Sequence, residues 1–576
     1  MKKILNVRIL LSGILLIFGL SSAGWAATYY VDFENGNDGN NGLAQQTAWK
    51  TIPGTRTVGN TGWQSTAWGS GAISSSSKVP AGTTFILKKG TTSGSANGQG
   101  MIQINSTYYA SNASATNPIK FTVQSDFGTG SAVIDGSGVT VPGGYAMVFI
   151  YDVPGISFDG VATDGIKIQN SGEHGARIYG SSAVADPVWN YITFFGNNTN
   201  YASANGVSVA QLRIDYSTGG SISHCIFDGN GFNGNGLFFG ESHVWSRNIT
   251  VSYCEARNIH GTFSNSDAVG FKALNSQVTW NSCTAHDNYK GWDLGQDLGD
   301  NVAITYKVVN CSAYSNIYGI NMNSADASYT GAVNFYIINS LVYDNAIAGT
   351  NVYEGPYNLY VVHCVYHNNG SDTSDYGRAN IQVGPDAGGD TSHIAVYFYN
   401  NAFYKPASQA TRNYLVGRWN RTGSGATDFT LYSDYNAWVQ TGSEAFVTWG
   451  AFSGSDDNSD FSYGANGPGR STGNWYNYYG SSTNVPAYGP GHYHQDAHSK
   501  GTGASDTTLP PFKDATNHDY TLLAHYAGTD LSSQPWYIPE MGSDRAGRLR
   551  IGWDIGAYEF QGPGTPPSSP KNLMIK

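Results

Sequence analysis

The sequence predicts an all-β solenoid, a chain wound into parallel coils of about 24–37 residues, and three observations carry that prediction. First, the cysteines fall at regular steps: Cys225, Cys254, Cys283 and Cys311 are separated by 29, 29 and 28 residues. Ser340 continues the series after another 29, Cys364 after 24 and Asn401 after 37. Second, the same apolar frame surrounds each mark, as in Ile249, Val251, Cys254, Ala256 and again in Val278, Trp280, Cys283, Ala285. Within each half of the frame the apolar period is two, the alternation of a strand, and the parity breaks just before the cysteine. Two short strands joined by a two-residue turn satisfy that pattern. Third, a unit of nearly thirty residues with little helical periodicity cannot bury its own apolar face, so it must stack on its neighbours.

In parallel stacking, equivalent residues lie about 4.8 Å apart, which places the cysteines in an inner column. Side chains stacked in register keep their Cβ atoms near that spacing, whereas a disulfide wants about 3.8 Å. With an odd number of thiols as well, free buried cysteines acting as small apolar fillers are expected. Asn230, Ile259, Asn288, Asn316, Asn345 and Asn369 stand five residues after six of the marks. Asparagine tolerates left-handed backbone and bonds neighbouring amides, so this second column is expected at a sharp turn repeated coil after coil.

Composition agrees with a secreted β protein. At 576 residues the chain exceeds a usual globular domain, which a solenoid permits because each coil touches only its neighbours. Charged residues make up 12%, about half the usual share, while glycine and tyrosine are abundant, as turns and stacked β surfaces require. A net charge of −11 with no basic stripe excludes nucleic acid as the expected partner. An acidic polysaccharide stays open, because a local cation site can override the overall charge. Lys2 and Lys3, the apolar run Ile9 to Leu20, and Gly24, Trp25, Ala26 read as an export signal cleaved near Ala26. The expectation is a monomer, secreted or at the periplasm or cell surface, without a membrane span after cleavage.

In chain order, residues 27–89 read as an amino-terminal cap and opening strand. The loop from Asp32 to Gly42 lacks the closing glutamate of a calcium loop and reads as an ordered turn. Irregular coils follow from 90, the regular array occupies 220–404, and irregular carboxy-terminal coils run to 561. The proline-rich stretch 562–576 reads as a linker. His492, His494 and His498 read as a surface loop rather than a transition-metal site. The opening Tyr29, Tyr30, Val31 and the closing Trp553, Asp554, Ile555, Gly556, Ala557, Tyr558, Glu559 resemble the two ends of secreted right-handed parallel β-helix proteins.

After the cysteine strands comes a strand with the pattern glycine, apolar, variable, apolar: Gly270 Phe271 Lys272 Ala273, Gly291 Trp292 Asp293 Leu294, Gly319 Ile320 Asn321 Met322. Alternation sends Phe271, Trp292 and Ile320 inward and stands Lys272, Asp293, Asn321, and next Asn351, outward in one row. Such a row on a long flat sheet suits an extended polymer, with nearby aromatic side chains as stacking faces. The order Asn265, Ser266, Asp267, Phe271, Lys272, Cys283, Asn288, Gly291, Trp292, Asp293 resembles polysaccharide lyase family nine, the β-helix pectate lyases.

That resemblance implies cleavage of a pectin-type uronan by β-elimination, with calcium held by Asp267 and Asp293. Two adjoining calcium-site aspartates of the family are replaced here by Tyr289 and Lys290, and its catalytic lysine position is Asn321. β-Elimination needs neutralisation of the substrate carboxylate, a base, and help for the leaving oxygen. The expected catalytic residues are Lys272, Lys290 and Tyr289, and the expected sugar contacts are Trp292, Asn321 and Asn351. Two alternatives stand beside this reading. One is a glycoside hydrolase drawing a carboxylate pair from Asp228, Glu241, Glu255, Asp267 and Asp287; the other is a non-catalytic glycan-binding surface or adhesion protein.

Overall fold

The computed structural model describes residues 27–59, 78–180, 184–201, 209–240, 246–260, 268–296, 303–324, 333–353, 357–371, 379–384, 394–405, 412–416, 429–440, 447–449, 498–501 and 508–560. Within them, three long sheets of thirteen strands each take one strand from every coil in turn, which makes the chain a parallel β-helix. Ile249–Ser252, for example, pairs in parallel with Val278–Asn281 of the next coil. Thr55–Thr57, at the amino-terminal end, runs antiparallel to Gln99–Asn105. The expected signal segment and the proline-rich tail lie outside the described residues. Among those described, no helix is long and apolar enough to cross a membrane.

The break in parity before each cysteine is a turn between the first and second sheets. Its first residue is left-handed in successive coils: His224, Tyr253, Ser282 and Asn310 have φ of 53°, 54°, 57° and 56°. All five cysteines are free and buried, as expected. They do more than fill space. The Cys225 N–H donates to Cys254 Sγ and the Cys283 N–H to Cys311 Sγ, each at 3.4 Å. Oxygen takes over where sulfur stops: the Cys311 N–H donates to Ser340 Oγ at 3.2 Å and the Cys364 N–H to Asn401 Oδ1 at 2.9 Å. Each mark thus satisfies a buried turn amide of the coil before it. Burial pushes the Cys364 thiol up to about 12.

The asparagine column needs a correction of one position. The left-handed residues are Asn258, Asp287, Ser315, Asp344 and Asn368, each just before the column residue of its coil; of the column itself, Asn230 alone is left-handed. The asparagines instead turn their side chains inward and form a ladder. The Asn288 N–H donates to Asn316 Oδ1 and the Asn316 N–H to Asn345 Oδ1, both at 3.1 Å. Each amide also ties back to the previous coil, as Asn316 Nδ2 does to the Ala285 carbonyl at 3.0 Å.

That ladder explains the glycine at the second position of four successive third-sheet strands, Val269–Leu274, Lys290–Gln296, Tyr318–Ser324 and Ala348–Tyr353. A Cβ on Gly319 would lie 2.5 Å from the Gly349 carbonyl oxygen and 2.8 Å from Asn345 Nδ2. Gly270, Gly291 and Gly349 meet the same obstruction. With glycine fixed there, alternation makes the next residue inward and the one after it outward.

The interior is filled by in-register columns. Phe85, Phe121, Phe158 and Trp189 stack with ring centroids 5.1, 4.6 and 4.6 Å apart. The described coils end at Lys500–Gly501. Residues 508–560, read from the sequence as further irregular coils, instead fold back as a strap over the outer faces of the late coils. Tyr520, Leu522 and Tyr526 cover Leu341, Val365 and Ala402, while Leu531 and Met541 cover Val309, Ile338 and Val362. The reason is visible in the coils themselves, whose outward positions turn apolar here and require a cover.

Candidate functional site

The outward position of the third-sheet frame forms one file along the molecule. Arg177 pairs with Arg213, Arg213 with Phe238, Phe238 with Lys272, Lys272 with Asp293, Asp293 with Asn321, and Asn321 with Asn351. The alignment of Lys272, Asp293, Asn321 and Asn351 is the one the alternation predicts. Two cationic members two and three coils before Lys272 were missed, although Gly175 Ala176 Arg177 Ile178 repeats the glycine, apolar, variable, apolar frame.

The two arginines of the file share the Asp215 carboxylate. Arg177 Nε donates to Asp215 Oδ2 at 2.6 Å, and Arg213 Nε donates to Asp215 Oδ1. The Phe238 ring lies between two cations, with the Arg213 guanidinium 4.9 Å and the Lys272 ammonium 5.2 Å from its centroid. His174 stands beside the arginines with its Nδ1 accepting the Ala210 N–H at 2.9 Å. Burial, with the Arg213 and Arg177 charges, holds its pKa well below the usual histidine value, so the ring is neutral. Arg177 (9%), Lys272 (7%) and Asp293 (8%) keep a narrow strip in contact with solvent, whereas Asp215 is fully enclosed.

The other half is a relay of hydrogen bonds. Lys290 Nζ donates to Asp293 Oδ2 at 3.0 Å, Asn321 Nδ2 to Asp293 Oδ1 at 2.6 Å, and Asn351 Nδ2 to Asn321 Oδ1 at 2.6 Å. These contacts revise several sequence expectations. Asn321 and Asn351 are 2% and 1% exposed and bond to one another in register, so they orient Asp293 rather than offer amides to a sugar. Trp292 points into the core with no accessible surface, stacked on Phe271 at 5.1 Å, and is not a sugar contact. Tyr289 packs against Tyr318 beside the sheet, off the file.

Asp267 lies outside the described residues. Asp293 does not fit a calcium ligand as it stands, because an ammonium and an amide N–H occupy its two oxygens and the ammonium would oppose a second cation. No step is therefore routed through calcium.

Three of the carboxylates considered for hydrolysis meet on the second sheet. Arg257 binds Asp228 Oδ2 at 2.9 Å through Nε and Glu255 Oε1 at 2.6 Å through Nη1. His286 bridges Glu255 Oε1 at 3.1 Å and Asp287 Oδ2 at 2.7 Å. Hydrogen bonds from His286 and Arg257 hold Glu255 below its ordinary pKa, which unsuits it as a protonated acid. Burial opposes charge on His286, but its bonds to Glu255 and Asp287 outweigh burial and raise its pKa.

The His286–Glu255 pair therefore links stability to pH from both sides. The histidine contribution is fully present below its unfolded value, about 6.5, and is lost as pH rises through the raised folded value. The glutamate contribution is present above its unfolded value, about 4.3, and is lost as pH falls through the depressed folded value. Melting temperatures of wild type and His286→Gln across pH 4 to 9 are expected to differ most between these limits and to converge toward alkaline pH.

No protein-family model matches the chain, and no curated protein does. Among solved structures the chain is similar to a pectate lyase at 15% identity, covering 93% of this chain and 98% of that one with a TM-score of 0.36. It is also similar to a rhamnogalacturonan lyase, at 15% identity, 71% and 87% coverage and a TM-score of 0.33. XylC in complex with xylose is similar at 10% identity, 73% and 86% coverage and a TM-score of 0.36.

Proposed function

We propose that this protein is a polysaccharide-active β-helix that holds an acidic polymer along the outward file of the third sheet and cleaves it by β-elimination. The observation that carries the reading is the gathering of Arg177, Arg213 and Lys272 in one file, in a chain whose formal net charge is −11. Asp215 pairs with the two arginines and fixes them in the file. In a site withdrawn from water each of these charges acts more strongly than it would on an open surface.

The cations divide the work. Arg177, fixed by Asp215, holds a carboxylate of the polymer three strands from Lys272, while Lys290, beside Asp293, faces the carboxylate of the reacting sugar and lowers the barrier to removing the proton on the adjoining carbon. Lys272, after giving its own proton to solvent, takes that proton; the electron pair of the broken carbon–hydrogen bond forms the carbon–carbon double bond, the bond to the leaving oxygen breaks, and that oxygen is protonated from solvent. Lys290, on the same strand as Asp293, also keeps that carboxylate in place.

The test is ultraviolet absorbance of unsaturated uronide ends on pectin, alginate and glucuronan. Wild type is expected to produce them on at least one polymer, and Lys272→Met to lower the rate at least tenfold with thermal stability retained. Reducing ends without unsaturated product, or binding without cleavage, would overturn the elimination reading.

A further inference from the structure

A different face of the helix carries a second site. At the turn between the first and second sheets, the left-handed residues of three successive coils are aromatic and stack. Tyr191 lies 4.5 Å from His224, and His224 lies 5.0 Å from Tyr253, with interplanar angles of 20° and 18°. The next rung is Ser282, which has the same backbone conformation, φ 57° against 54° for Tyr253, but no ring. The stack is therefore short by one ring, and Tyr253 is 59% exposed.

The missing rung opens onto a groove of about 420 Å³ lined by Tyr253, Glu255, Ser282, Thr284, His286 and Tyr314. Its far wall is aromatic too, with His286 stacked on Tyr314 at 4.8 Å and 2°, and Tyr314 on Tyr343 at 5.0 Å and 5°. Glu255, Ser282 and Thr284 set hydrogen-bonding groups between the two aromatic walls.

We infer that this groove binds one uncharged pyranose unit of a glycan, its apolar face on Tyr253 in the place of the absent ring and its hydroxyls toward Glu255, Ser282 and Thr284. An exposed aromatic face beside a few convergent polar groups suits a ring with one apolar side and polar edges. The local charge selects against acids, because Asp228, Glu255 and Asp287 outnumber Arg257 and His286. Phosphate-bearing ligands are disfavoured on the same ground. The site lies on a different sheet from the cationic file and takes the opposite class of sugar. It rests on no part of the elimination chemistry.

Saturation-transfer-difference NMR with methyl glucoside, methyl galactoside, methyl xyloside, galacturonate and choline tests this. At least one neutral glycoside is expected to show transfer to wild type. Ser282→Tyr, which fills the rung with a residue the same turn already accepts at Tyr253, is expected to abolish that transfer. Tyr253→Ala should weaken it at least tenfold, and Lys272→Met should leave it unchanged. The inference fails if no neutral glycoside binds, if binding survives Ser282→Tyr in a variant with wild-type melting, or if galacturonate or choline gives a stronger signal that Ser282→Tyr abolishes. Should Ser282→Tyr not fold, retention of binding in Tyr253→Ala overturns it equally.

Discussion

Replacing Asp215 with alanine is expected to destabilise the protein by about 3–5 kcal/mol, the usual consequence of leaving buried charge without its partner. Asp215 is fully enclosed, and both of its oxygens receive an arginine Nε, from Arg177 and from Arg213. His174 is held neutral beside them, so it relieves nothing. The variant would leave two guanidinium groups facing each other across adjacent coils. Urea denaturation checks the magnitude. The triple substitution Arg177→Met, Arg213→Met, Asp215→Leu should recover most of the loss, since well-packed apolar residues can replace a buried ionic cluster at little net cost. If the triple variant is as unstable as Asp215→Ala, lost packing rather than unpaired charge is responsible.

Asn345→Ala should destabilise by a similar amount, roughly 3–5 kcal/mol, from several polar groups orphaned at about 1–3 kcal/mol each. Asn345 Oδ1 accepts from both the backbone N–H and the side-chain amide of Asn316, each at 3.1 Å. Its own amide donates to the Ala313 carbonyl at 3.0 Å and to Asn369 Oδ1 at 2.8 Å. No water reaches this side of the turn to substitute, because Asn345 and Asn369 have no accessible surface and Asn316 has 1%. Hydrogen exchange gives the sharper reading: amides of the coils around Asn316 and Asn345 should lose protection while those near Phe121 keep theirs. Uniform loss across the molecule would contradict a ladder whose rungs act locally.

The coil architecture was legible because a solenoid writes its geometry into the spacing of its residues. Cysteine steps, apolar frames and glycine positions each report one place on the coil, and the structure joins them in the expected order. What spacing could not convey is which of two adjacent residues turns left-handed and which turns inward. Asn288 and Asp287 are both plausible turn formers, and only the ladder to Asn316 decides between them. The site was half legible for a related reason. Lys272 and Asp293 lie inside the regular array, where the cysteine ruler fixes their parity. Arg177 and Arg213 lie before Cys225, where Ile166 and Ile192 stand at the register of the cysteine and no rare residue marks the step. Outwardness also proved a poor guide to exposure, since Asn321 and Asn351 point away from the core and are nonetheless closed in by their neighbours.

The strap formed by residues 508–560 bears on the order in which the molecule assembles. Coils stacked on nearest neighbours can add one at a time as the chain emerges, each closing a short loop. The strap breaks that locality: Arg545 Nη1 reaches the Cys311 carbonyl at 2.7 Å and Arg550 Nη2 reaches Asn339 Oδ1 at 2.9 Å, across 234 and 211 residues of chain. Contacts of such separation form late and slowly. The late coils therefore wait, their outward Leu341, Val365 and Ala402 uncovered, until the carboxy-terminal residues arrive, and the end of the helix made last is the one held shut from both directions.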